Sequence, residues 1–227
     1  MPAKSGRPLA IFDVCGTLFR DDTTLGFLFH LTKKHSPARW YLLNLWFHRR
    51  SPGFWLLSLV ERLASRHVAK HLAVFQLYGF SQQLVEQEAR IYVDFLVQTR
   101  VRTEIFPHFV KALEDSQTVL ASASLEPVIR ALAERFGVDY LASSLQIRDG
   151  RYTGKLLTDM TGRKLEELKR RFGPEWLERQ RHCYTDNFSD LDLCNDCGQR
   201  TVVLLKPRHR RRWGSLAAHY VEVGPPR

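Results

Sequence analysis

Four short apolar runs rich in β-formers punctuate the chain: Leu9–Phe12, Thr118–Ala121, Cys183–Thr185 and Thr201–Leu205, with Tyr140–Ala142 as a candidate fifth. Between them, apolar residues recur at helical spacing. In "SLEPVIRALAERFG", Val128, Ile129, Leu132 and Phe136 share one helix face, and Gly137 suits the C-terminal stop. Strands alternating with helices predict an α/β fold, a parallel sheet with helices on both faces. "LQIRDGRYTGKL" predicts a hairpin turning at Asp149-Gly150. The tail "KPRHRRRWGSL" predicts a basic surface helix.

The stretch from Thr23 to Leu113 is different in character: helical and rich in aromatics. It is too long for an ordinary loop. It predicts a helical subdomain over the strand ends, residues 23–113, inserted into a core made of residues 1–22 and 114–227. A chain of 227 residues suits one domain with such an insertion.

Composition adds little to the fold: 44% apolar and 26% charged residues are ordinary for a globular protein. A net charge of +10 favours phosphate-bearing partners without choosing among them. Cys15, Cys183, Cys194 and Cys197 are too few and too unevenly placed for a secreted disulfide scaffold. "MPAKSGRP" is short and polar, and no apolar stretch approaches the ~20 residues of a spanning helix. The expectation is a cytoplasmic protein with reduced thiols. There is no internal repeat and no glycine-rich nucleotide loop.

Ligands of an open α/β sheet bind at the carboxyl ends of its strands. Asp13 ends the first strand, and the Gly16-Thr17 turn can aim backbone N–H groups at an anion. Ser122 ends the second strand, Lys164 lies near a helix start, and Asp186 and Asp190 follow a later strand. Together they suit phosphoryl transfer. Asp13 can attack phosphorus and form an aspartyl phosphate. Two anions repel, so a hard divalent cation, most simply Mg²⁺, would offset the charge, held by Asp13 and Asp186 with Asp190 behind them. Ser122 and Lys164 would hold phosphate oxygens. Each residue also has a plainer reading. Ser189 with Asp192 fits a helix capping box, Ser122 or Ser124 fits a helix cap, and a lone Lys164 fits a solvated surface. Chain order carries the functional reading.

"FDVCGTL", "LASAS", "GRK" and "YTDNFSDLDL" resemble, in order, the four motifs of the haloacid dehalogenase superfamily. Within it the chain resembles the phosphoserine-phosphatase-like branch, whose helical cap lies between the first two motifs. The resemblance implies a Rossmann-like core, Mg²⁺ and a phosphorylated aspartate. It implies Asp13 as nucleophile; Gly16, Thr17, Ser122, Ala123 and Lys164 around the phosphate; and Asp13, the Cys15 carbonyl, Asp186 and Asp190 around the metal. It also implies a small organic or lipid phosphate ester as substrate.

Cys15 is the departure, because phosphatases of this superfamily carry an aspartate there as general acid/base, worth ~10²–10⁴-fold. A thiol is a weak acid, weaker still beside carboxylates. Three readings follow. Another group supplies the acid, the leaving group needs little help, or the chain is a weakly active binder of phosphate ligands or membrane surfaces.

In the inserted region, Trp40–Phe47 and Phe54–Val60 are apolar bursts bracketed by basic residues and a Ser-Pro-Gly turn. They fit either the cap's own core or an interfacial hairpin on an anionic membrane. The second reading is similar to the caps of phosphatidylglycerophosphatase-C-type members, and would place the protein at the inner face of the membrane. His30, His35, His48, His67 and His71 follow no metal spacing and are expected mostly at the surface. Cys194 and Cys197 lack the second pair a zinc knuckle needs, which favours a structural role. "RHRRRW" alone is a weak nucleic-acid signal, so no nucleic acid is expected.

Overall fold

Every residue of Leu9–Phe12 (β1) is buried, because the strand lies mid-sheet with helices on both sides. The computed structural model describes residues 6–64, 68–214 and 216–224; His67 lies outside them. Ala10 and Phe12 face one core, with Phe27, Phe109 and Val128, while Leu9 and Ile11 face a second, with Leu168, Trp176 and Leu193.

After β1 come the helices Thr23–His35 (α1), Pro37–Phe47 (α2), Pro52–Ala64 (α3), Val68–Phe75 (α4) and Gln82–Thr99 (α5). Phe106–Asp115 (α6) returns the chain to Gln117–Leu125 (β2). Glu126–Phe136 (α7), Asp139–Arg148 (β3) and Arg151–Thr158 (β4) follow. The remainder is Lys164–Phe172 (α8), Glu175–Glu178 (α9), Arg181–Thr185 (β5), Leu191–Asp196 (α10), Gln199–Leu204 (β6) and His219–Glu222 (β7).

The strand order is β4-β3-β2-β1-β5-β6-β7, with β4 antiparallel to β3 and the other neighbours parallel. Sequence order therefore reverses at β1, and that reversal opens a crevice at the carboxyl edge. Phe12 pairs with Leu120 and Tyr184, so Asp13 and Asp186 leave β1 and β5 side by side at that edge, while Ser122, expected at a strand end, lies within β2, which runs on to Leu125.

The expected hairpin is present. Arg148 pairs with Arg151, and Asp149 and Gly150 take φ of 51° and 70°, as a two-residue turn requires.

Other local expectations change. The basic tail is a largely exposed helix as expected, but a 3-10 one, over Pro207–Trp213, and only its last residue, Trp213, is buried, against Phe188. The following β7 pairs with β6 and had no sequence signal strong enough to predict it. Ser189 does not cap; Asn187 Oδ1 accepts from the Ser189 N–H at 3.0 Å instead. Neither Ser122 nor Ser124 caps α7, whose N-cap is Leu125.

Of the histidines expected mostly at the surface, His48, His71 and His35 are exposed and His30 is half-buried. His30 and His35 also hold the helices together. On α1 they meet buried Glu88 of α5, each through Nε2 at 2.9 Å, and Lys34 Nζ donates to the same carboxylate at 2.6 Å. Burial alone would raise the Glu88 pKa, but these partners hold it at about 2, against an ordinary 4.5. A depressed folded value means the stabilisation is complete above about pH 4.5 and is lost as pH falls toward 2. Glu88→Gln is therefore expected to cost about 2 kcal/mol in urea unfolding at pH 7, reduced from the full linkage value because Lys34 is half exposed. The difference from wild type should shrink toward zero in acid; a cost unchanged at low pH would show that packing, not charge, is what was lost.

Candidate active site

Asp13 sits one residue past β1, nearly buried, and accepts a hydrogen bond from Lys164 Nζ at 2.8 Å. Lys164, the first residue of α8, also donates to Asp190 Oδ2 at 2.7 Å, and Thr185 Oγ1 donates to that oxygen at 2.8 Å. The other Asp190 oxygen is buried with no partner among the described residues. Burial would lower the Lys164 pKa, but Asp13 and Asp190 raise it, so the ammonium stays charged. Burial raises the Asp13 pKa despite Lys164, and Asp190 adds to the rise. Two carboxylates share one cation.

A third carboxylate adds to the imbalance. Thr17 Oγ1 donates to Asp186 Oδ1 at 3.0 Å and accepts the Asp186 N–H at 2.9 Å, so Thr17 braces Asp186. Gly16 has φ of 74°, and a Cβ there would lie 2.3 Å from Asp186 Oδ2. Only glycine lets that carboxylate lie over the turn. Arg102 Nε fixes the turn by donating to the Gly16 carbonyl at 2.5 Å. Burial, then the charge of Asp13, raises the Asp186 pKa to about 7.

These groups fit a hard divalent cation. Asp190 raises the pKa of Asp13, and Asp13 that of Asp186; with an Asp190 oxygen unpartnered among the described residues and the glycine cradle under Asp186, three carboxylates around the one Lys164 ammonium describe a site short of positive charge. No cluster of three or more His, Cys, Asp or Glu side chains suited to a metal occurs among the described residues. Mg²⁺ needs only one or two carboxylates, with waters and substrate oxygens completing its shell.

Across the crevice, Ser122 is buried, and its Oγ accepts the Ser124 N–H at 3.2 Å. Cys15 Sγ lies 2.9 Å from Thr23 Oγ1 and 2.8 Å from Ser124 Oγ, and those hydroxyls are 2.8 Å apart. The Thr23 N–H also donates to Sγ at 3.3 Å. Burial, with Asp22 and Asp13 nearby, pushes the thiol up to about 12. It stays protonated at neutral pH, bound in a polar cradle.

Asp13, Cys15, Gly16, Ser122, Ala123, Lys164 and Asp186 all line one cavity of about 500 Å³. Thr17 and Asp190 stand behind its wall. Phe47, Glu61, Ala69, Lys70 and Ala73 reach it from the helices between β1 and β2. Sequence reasoning missed Lys70, Arg102, Thr23 and Asp159. None lies in a recognisable motif, and a lysine in "HVAKHLAVF" looks like any solvated lysine. Only Thr23 carried a signal, as the residue after Asp22, the N-cap of α1.

The CxxC pair plays no part in this cavity. Cys183, Cys194 and Cys197 are buried free thiols in the second core, with Sγ atoms of Cys183 and Cys194 3.8 Å apart.

Solved structures share this fold. A protein of unknown function from Bordetella pertussis Tohama I is 20% identical, with 95% of this chain and 98% of that one covered, at a TM-score of 0.74. A phosphoserine phosphatase carrying a phospho-aspartyl intermediate analogue is 16% identical, covering 96% and 95%, at 0.57. Cytosolic 5'-nucleotidase IIIB bound to cytidine is 13% identical, covering 95% and 80%, at 0.64. No curated protein sequence matches the chain. The model of the haloacid dehalogenase-like hydrolases matches residues 10–194, most of the chain and all four site segments. With its phosphoserine-phosphatase-like fold, the chain belongs to the haloacid dehalogenase-like hydrolases.

Proposed function

We propose that this protein is a Mg²⁺-dependent phosphomonoesterase that works through a phosphorylated Asp13, on esters of a small organic or lipid alcohol. The observation that carries the reading is the buried Asp13–Lys164–Asp190 group beside Asp186, open to one cavity with Ser122. Bound Mg²⁺, held by Asp13, Asp186 and the Cys15 carbonyl, with Asp190 supporting, would lower the repulsion between phosphate and carboxylate.

The chain's own residues do the rest. An Asp13 oxygen forms the bond to phosphorus as the ester oxygen leaves. Lys164 and Ser122 hold phosphate oxygens, with backbone donors at Gly16, Thr17 and Ala123. Water then attacks phosphorus, the bond from Asp13 to phosphorus breaks, and the proton that water gives up balances the one taken up by the departed alcohol, which frees phosphate and Asp13. Residues 23–113 act as a cap that closes over the cavity and contacts the leaving group through Phe47, Glu61 and Ala69.

The decisive experiment is a screen of phosphate esters with Mg²⁺, including detergent-dispersed lipids. Turnover that disappears with chelator and returns with Mg²⁺ is expected. No Mg²⁺-dependent turnover of any ester would leave the alternative, a phospholigand-binding protein, which the high thiol pKa of Cys15 favours.

The lipid arm rests on surface chemistry. The apolar bursts of α2 and α3 do not make a core of their own: within them only Leu43 and Leu57 are buried. Tyr41, Leu45, Trp55, Leu59 and, one turn on, Leu63 lie exposed, Trp55 at 68% and Leu63 at 77%. Arg49 and Arg50 are exposed between the two helices. No helix among the described residues is long and apolar enough to cross a membrane, so contact would be interfacial. Flotation with anionic vesicles should recover the protein, and Trp55→Glu with Leu59→Glu should reduce the bound fraction roughly tenfold. No association with any vesicle removes the lipid arm and leaves the small-molecule arm.

A further inference from the structure

We infer that Lys70 is a positioning residue that registers the cap on both segments carrying the phosphate-binding residues. Lys70 Nζ, from α4, donates to Asp159 Oδ1 at 2.6 Å and to the Ala123 carbonyl at 2.8 Å. Ser143 Oγ and Thr161 Oγ1 lie within reach at 3.2 and 3.3 Å. Ala123 directly follows Ser122. Asp159 and Thr161 form the turn that delivers Lys164 to the start of α8. One ammonium group from the cap thus joins two core segments that approach the site from opposite sides of the chain order.

The junction is built rather than incidental. Ser143, fully buried, donates to the Ala123 carbonyl at 2.8 Å and accepts the Met160 N–H at 3.1 Å. Asp159 Oδ1 also accepts from Thr161 N–H at 2.9 Å and Thr161 Oγ1 at 2.8 Å. Burial would raise the Asp159 pKa, but Lys70 and Thr161 hold it at about 2, so the carboxylate is ionised at neutral pH. Both side chains are half-buried, which shields the pair in part from solvent. An ammonium group has three donors, and here four acceptors surround it. None is left for a substrate, so Lys70 acts through Ala123 and Asp159.

The kinetic arm rests on the phosphatase reading; the exchange arm does not. Lys70→Met keeps the aliphatic stem, and Asp159→Asn keeps the shape of its partner. Each is expected to lower kcat on a soluble ester ~10–100-fold with KM within about threefold, because a misplacement of about 1 Å is enough. The double variant should lose no more than the worse single. Amide exchange should accelerate in both variants over residues 121–125 and 159–164, with folding intact by thermal melt. Losses that multiply, an unchanged kcat, or faster exchange confined to α4 would each overturn the inference. If the wild type turns over no ester, the phosphatase reading fails and exchange alone decides: acceleration in both core segments upholds the positioning role, and its absence overturns it.

Discussion

Cys15→Asp is expected to raise the single-turnover rate of phosphoryl transfer from alkyl phosphates by ~10²–10⁴-fold, and from p-nitrophenyl phosphate far less. An alkoxide leaving group needs a proton as its bond to phosphorus breaks. A thiol pushed up to about 12 surrenders its proton poorly and cannot take one from water at neutral pH. Nitrophenolate leaves without that help. The site is already shaped for the replacement, since Thr23 N–H, Thr23 Oγ1 and Ser124 Oγ surround the sulfur and can donate to a carboxylate. Burial and the charges of Asp13 and Asp22, which raise the thiol, would raise a carboxyl there too. The variant's kcat should then fall as pH rises through that raised value, where the proton-donating form is lost. A variant no faster than wild type on alkyl esters would mean that another group supplies the proton. Turnover by the variant alone, over an inert wild type, would make the natural chain a binder.

Much of this architecture was legible because periodicity and burial report each other. β1 reads as unbroken apolar sequence since both its faces are covered, and α7 shows its stripe since one face is. The site segments were legible because strand ends fix where Asp13 and Asp186 emerge, although β2 runs three residues past Ser122. What escaped the sequence was set by tertiary contact. β7 is half exposed at the sheet edge and short. His30 and His35 gain their role only when α5 brings Glu88 to them. Lys70 is separated from Asp159 by 89 residues, and no local pattern announces such a pairing. Thr17 lies in a motif, yet its hydroxyl is committed to Asp186, so only its backbone N–H remains for an anion.

Asp13→Asn is expected to reduce turnover by more than ~10³-fold, to the buffer background. The amide oxygen can still accept from Lys164, and a buried carboxylate with a raised pKa is replaced by a neutral group, so the fold should survive. An amide is a poor nucleophile toward phosphorus, so the loss should fall on kcat. Acid-quenched wild type should carry one hydroxylamine-sensitive phosphoryl group on the peptide containing Asp13, and the variant none. Activity within about tenfold of wild type, or labelling elsewhere, would remove Asp13 as nucleophile. The two substitutions are linked through the second half-reaction. Water must be deprotonated to cleave the aspartyl phosphate, and the Cys15 thiol offers no base for it. Wild type should therefore accumulate the phosphorylated form and show a product burst, while Cys15→Asp should clear both. A burst that persists in Cys15→Asp would place the slow step in phosphate release instead.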